Sequence, residues 1–67
     1  MMSTAETCLE LMIHAIGPYG VLVSDDGDRA KAVWLPISGC RFEETPRAGR
    51  AQIVTVPEWL ARAKGLV

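Results

Sequence analysis

Few residues of this 67-residue chain have both the type and the company that chemistry requires. His14 is the one histidine, and Cys8 precedes it in the same alternating stretch. A cysteine–histidine pair makes a thiolate nucleophile only at hydrogen-bonding distance. Six residues of extended strand span about 20 Å, so these two do not meet. Cys8 and Cys40 lack the close spacing of a zinc or redox motif and are expected as free thiols.

Asp25, Asp26 and Asp28 crowd one short segment. They lack the spaced ligands and distal glutamate of a calcium loop, and turn chemistry accounts for them. Arg41, Arg47 and Arg50 surround a loop that contains Gly49, with Phe42 close by. Guanidinium groups so placed grip phosphate or an acidic protein surface, although Glu43 and Glu44 offset part of their field. These three arginines and Phe42 are the candidate partner contacts. No nucleophile elbow, zinc helix or phosphate loop occurs, and a cleft deep enough for catalysis is hard to build at this length. The expectation is a chain that is not an enzyme and carries no cofactor or metal.

A hydrophobic content of 49% is that of a globular domain and excludes a disordered chain. A formal net charge of −1 argues against general duplex binding, which draws on a strong basic excess. The apolar runs are too short to cross a bilayer, and Glu6 and Glu10 interrupt what would otherwise resemble a leader. A cytoplasmic location is expected, with no membrane partner. Residues 1–6 are expected to be flexible and residues 7–67 to form one small domain.

From Thr7 to Ile16 the residues alternate, with Leu9, Leu11, Ile13 and Ala15 on one face and Cys8, Glu10, Met12 and His14 on the other. That period of two predicts a strand. Leu9, Met12, Ile13 and Ile16 also fit a helical stripe, the rival reading. Gly17-Pro18-Tyr19-Gly20 is a turn. Asp26-Gly27 then lies between two strand-like runs, a pattern that favours a two-residue hairpin turn. That register pairs Val23 with Ala30, Val21 with Ala32 and Tyr19 with Trp34, all on one uncharged face. Pro36 ends the second run. Cys40 to Glu44 is expected as a short strand with Phe42 inward, and Ala51 to Val56 as a fifth strand.

The last segment reads as a helix over residues 57–64. Pro57 suits the first turn, Glu58 and the pair Arg62 and Lys64 complement the helix dipole, and Gly65 is placed for a left-handed stop. Trp59, Leu60 and Ala63 would form its buried stripe. Trp34, Trp59, Leu60, Val21, Val23 and Ile53 are the expected core. Both indoles are read as core rather than as a stacking platform for bases. Five short strands and a terminal helix predict a mainly β (α+β) domain: a small antiparallel β-barrel or curved sheet, SH3-like or OB-like.

Val33 to Pro36 with Ser38, and Pro57 to Ala61 with Lys64 to Leu66, spell WLPxS and PEWLAxxKGL. This pattern resembles that of a group of small proteins from phages and prophages of proteobacteria, over roughly the last two thirds of the chain. Thr7 to Pro18 falls outside the resemblance, and Gly39 and Cys40 stand where polar residues are expected. The resemblance implies no activity and no site residues. It implies a context, that of a phage-encoded accessory protein acting inside a bacterial cell. The expected function is a non-catalytic binding module whose partner is another protein, such as a host defence factor that it blocks. Two alternatives are an accessory binder of single-stranded nucleic acid and a homo-oligomer joined by edge strands, with the first strand as donor.

Overall fold

The computed structural model describes residues 5–67. Of the stretch expected to be flexible, residues 1–4 lie outside the described residues. Glu6 is already in a strand, opposite Pro57.

Five antiparallel strands form one open sheet in the order β3-β2-β1-β5-β4. They are β1 (Glu6–Ile16), β2 (Gly20–Ser24), β3 (Val33–Pro36), β4 (Arg41–Phe42) and β5 (Arg50–Pro57), followed by helix α1 (Glu58–Ala63). The alternating first segment is a strand, as its period of two predicts, and it lies at the centre. Leu11 and Ile13 are buried while Glu10 is exposed.

Strands β3 and β4 are the two edges, yet only residues 37–40, with a 3-10 turn over Ile37–Gly39, separate them in sequence. A flat sheet would set its outer strands about 19 Å apart. The link reaches about 17 Å even when fully stretched, and less with a 3-10 turn inside it. The sheet must therefore curl, and it does so around Leu11, Ile13, Val21, Val23, Leu35, Val54 and Val56. The edges do not pair with each other, so the curved sheet is realised rather than a closed barrel.

Helix α1 closes the concave side through Leu60 and Ala61. It spans residues 58–63 rather than 57–64, with Pro57 extended just before it. Its first N–H donates to the Ala5 carbonyl at 2.9 Å. At the far end Gly65 adopts φ 72°. The Gly65 N–H reaches the Arg62 carbonyl and the Leu66 N–H the Ala61 carbonyl, a Schellman stop that returns Leu66 to the core.

The β2–β3 connection differs from the sequence expectation. Instead of a two-residue turn, residues 25–32 form a longer loop. The Asp26 carboxylate accepts from the Asp28 N–H, and the Asp28 carboxylate accepts from the Ala30 N–H at the start of a 3-10 turn over Arg29–Lys31. Those aspartates are turn and cap residues. The loop moves the pairing to Val23 with Val33, Val21 with Leu35 and Leu22 with Trp34. Val23 shifts from Ala30 to Val33, an odd number of residues, which exchanges the two faces of β3. Leu35 enters the core and Trp34 leaves it.

The expected core is corrected at three positions. Val21, Val23 and Leu60 are buried, but Trp34 is 52%, Trp59 67% and Ile53 37% exposed. Ile53 alternates with buried Val54 on β5 and shares the outer face with Glu10. Helix residues advance about 100° each. Because Leu60 and Ala61 meet the sheet, Trp59 points roughly 150° from the buried side. Ala63 is exposed as well. The indoles are not what holds the fold together.

Candidate interaction surface

The convex face of the sheet carries the side chains that alternate with the core. Cross-strand partners share a face, so register lays out this surface. Trp34 stands beside Leu22, Leu22 beside Ala15, Ser24 beside Met12, Met12 beside Ala51, and Glu10 beside Ile53. The result is an apolar stripe across β3, β2, β1 and β5. Trp34, Ala51 and Ile53 are exposed, and Leu22, Met12 and Ala15 are half-buried.

The indole of Trp34 lies on the β1–β2 turn. Its ring passes 3.6 Å from the position that a Cβ on Gly17 would take, and 3.5 Å from that on Gly20. Tyr19 is 86% exposed. It belongs with Val21 on the concave side, beyond the end of the core, and so forms no joint platform with Trp34.

His14 is the extra residue of a bulge in β1, where the pairing with β2 slips between Ile13 and Ala15. The bulge brings its Nε2 to 2.7 Å from the Ser24 hydroxyl. Spacing alone offered His14 no nucleophile, because Ser24 comes from the neighbouring strand. Ser24 is the one buried polar residue among the described residues, at 1% exposure. A hydroxyl so enclosed meets no substrate, and the pair satisfies a buried polar group instead.

The three arginines do not form one basic patch. Arg41 is paired with Glu6. Arg50 shares a hollow with Glu10, Glu43 and Glu44, floored by Ala51, Gln52 and Ile53. Arg47 stands on an exposed loop clasped by Gln52, whose amide accepts from the Arg47 N–H at 2.7 Å and donates to the Thr45 carbonyl at 3.2 Å. Phe42 packs against the core, as its inward placement predicts. Three carboxylates against one guanidinium give the hollow the opposite sign to that expected from the sequence.

Cys8 and Cys40 are free thiols. Cys8 is exposed, with Sγ 3.3 Å from the Thr55 hydroxyl. Cys40 is half-buried against the core, and burial pushes its thiol pKa up from the ordinary value. The thiolate is the form that reacts. Iodoacetamide at pH 8 is therefore expected to label Cys8 at least about tenfold faster than Cys40. Peptide mass spectrometry over time checks the order, and equal rates would refute it.

The edge-pairing expectation is corrected on the first strand, which is the central one with a partner on each side. At the β3 edge the Ile37 N–H donates to the Tyr19 carbonyl. By alternation Leu35 and Val33 turn inward to β2, and Trp34 and Pro36 face outward. Pro36 has no N–H, and the Ala32 N–H is held by the Arg29 carbonyl. Such an edge is poorly equipped to template another strand.

Among the described residues no helix is long and apolar enough to cross a membrane. Comparison with known proteins finds no family model that matches the chain, and no curated protein or solved structure that matches it.

Proposed function

We propose that this chain is a non-catalytic binding module, a phage-type accessory protein that docks on a host or phage protein, a host defence factor being the favoured class. The observation that supports this reading is shared by both sequence motifs. In Trp34-Leu35 and in Trp59-Leu60 the leucine is buried, at 0% and 5%, while the tryptophan keeps half or more of its surface in water. Covering a large apolar side chain fully is worth about 1.5–3 kcal/mol, a gain the isolated fold uses only in part. Tryptophan is also enriched, with tyrosine and arginine, among the residues that carry binding energy at protein interfaces.

Exposure of both indoles also favours single-stranded nucleic acid as a second reading, since bases stack on such rings. Their positions count against it. Trp34 lies beside the Ala15 end of β1 and Trp59 shares a groove with Ala5 at the other end, with Glu10 on the strand between. Arg62, next to Trp59, is paired with Glu58 at 2.5 Å.

The test is capture from a bacterial lysate with tagged protein, alongside titration of oligothymidylate at low salt. One dominant protein partner is expected, with capture reduced at least about tenfold by Trp34→Ala or Trp59→Ala at unchanged folding. The oligonucleotide titration is expected to be flat. Capture indifferent to both indoles would overturn the reading. Tight oligonucleotide binding that collapses as salt rises would replace it with the second.

A further inference from the structure

The convex face carries more than exposed apolar area, because its charges are arranged with a sign. The stripe of Trp34, Leu22, Met12 and Ile53 ends at the hollow beside Glu10, which measures about 140 Å³, room for one side chain. Glu10, Glu43 and Glu44 line it, and Arg50 is the single cation among the described residues that line it. Farther along the same face Arg41 and Glu6 cancel each other. The face is thus apolar at the β3 side and anionic at the β5 side.

Resting on the binding-module reading above, we propose that this convex face receives a basic amphipathic segment of a partner protein. The partner's apolar side chains cover Trp34, Leu22 and Met12, and a lysine or arginine enters the Glu10–Glu43–Glu44 hollow. Charge chooses this occupant over the others. An anionic lipid surface or a phosphate backbone would meet three carboxylates with one guanidinium to offset them. A second copy related by a two-fold axis would bring the same patch against itself. Its carboxylates would then be covered by carboxylates or by an indole, and burying charge without a counter-charge is costly. A cation on an apolar scaffold meets both halves of the surface at once.

The geometry also separates this segment from a β-strand ligand. The β3 edge offers one outward N–H, that of Trp34, so main-chain pairing contributes little there. Recognition falls to side chains spread over a face, as when an amphipathic segment lays its apolar side on a protein surface.

The experiment titrates the isotopically labelled full chain with two synthetic amphipathic peptides, one of leucine and lysine, the other of leucine and glutamate. The lysine peptide is expected to shift the amide signals of Met12, Leu22 and Ile53 and the indole N–H of Trp34. The glutamate peptide is expected to leave them in place. Trp34→Ala and the surface change Glu10→Lys should each weaken the lysine peptide at least about tenfold, and added salt should weaken it further. Glu10→Lys touches no core residue, so its result stands if Trp34→Ala proves unstable. Equal response to the two peptides, shifts confined to α1 and Trp59, or indifference to both substitutions would overturn the proposal. A two-chain mass by light scattering that reverts to one chain in Trp34→Ala would assign the face to a second copy instead. Capture of a cellular partner that survives Trp34→Ala and Glu10→Lys but is lost in Trp59→Ala would sink this surface and leave the binding-module reading intact.

Discussion

Leu35→Ala is expected to cost the fold about 3 kcal/mol, whereas Trp34→Ala, one residue away, should cost less than about 1 kcal/mol. Leu35 is fully buried opposite Val21, in the same core cluster as Leu11, Ile13 and Val54. Truncating it loses transfer energy and leaves a cavity that a small curved sheet cannot readily fill. A domain of this length has a total stability of roughly 3–10 kcal/mol, so the variant sits near the unfolding threshold. Half of the Trp34 surface is in water in the folded state, and its contacts are with the glycine turn. Urea titration with an unchanged slope measures both changes. The same order is expected on the helix, with Leu60→Ala more damaging than Trp59→Ala. If the tryptophan variants lose as much as the leucine variants, the indoles belong to the core and the docking surface disappears with its main residue.

The second large effect is expected at Gly20, where the main chain of β3 leaves no room for a side chain on β2. A Cβ there would stand 2.8 Å from the carbonyl oxygen of Leu35, an atom of the backbone that cannot turn aside. Gly20→Val should therefore push β3 away from β2 and cost about 2–3 kcal/mol. Gly27, the residue that marks the hairpin in the sequence, is the comparison. It has φ 82° but nothing within 4 Å of its Cβ position, so Gly27→Val carries only the left-handed strain of about 1–2 kcal/mol. Thermal unfolding of the two variants side by side decides the matter. A larger loss at Gly27 than at Gly20 would mean that the loop governs the β2–β3 pair, and not the close approach of its strands.

Several elements were legible because their signals are local. The alternation of Leu9, Leu11 and Ile13 against Cys8, Glu10 and Met12 identifies β1. Pro57 and Gly65 bracket α1 by backbone constraint alone, and the Schellman stop forms where Gly65 places it. Val21, Val23 and Leu60 are core in both readings. The register of β3 was not legible in the same way. Val33, Trp34 and Leu35 are all apolar, so either face of that strand satisfies a hydrophobic pattern, and the turn has to choose between them. Asp26-Gly27 points to a two-residue turn, but Asp26 and Asp28 use their carboxylates on nearby backbone N–H groups and draw residues 25–32 into a longer loop.

The candidate surface followed from that choice. Arg41, Arg47 and Arg50 are near in sequence, but Glu6 and Glu10 arrive beside them from a strand some forty residues earlier and reverse the local sign. His14 meets Ser24 only because a bulge turns it toward the next strand. Alone, the amino-acid sequence determined β1, β2, β5 and α1, since those follow from propensity, capping and φ restrictions acting over a few residues, but not the loop over residues 25–32. Only the tertiary structure decided which member of each Trp-Leu pair is covered and which charges become neighbours. Both depend on how the sheet curls and where its distant strands align, and the free energy that sets this comes from contacts made across the whole chain.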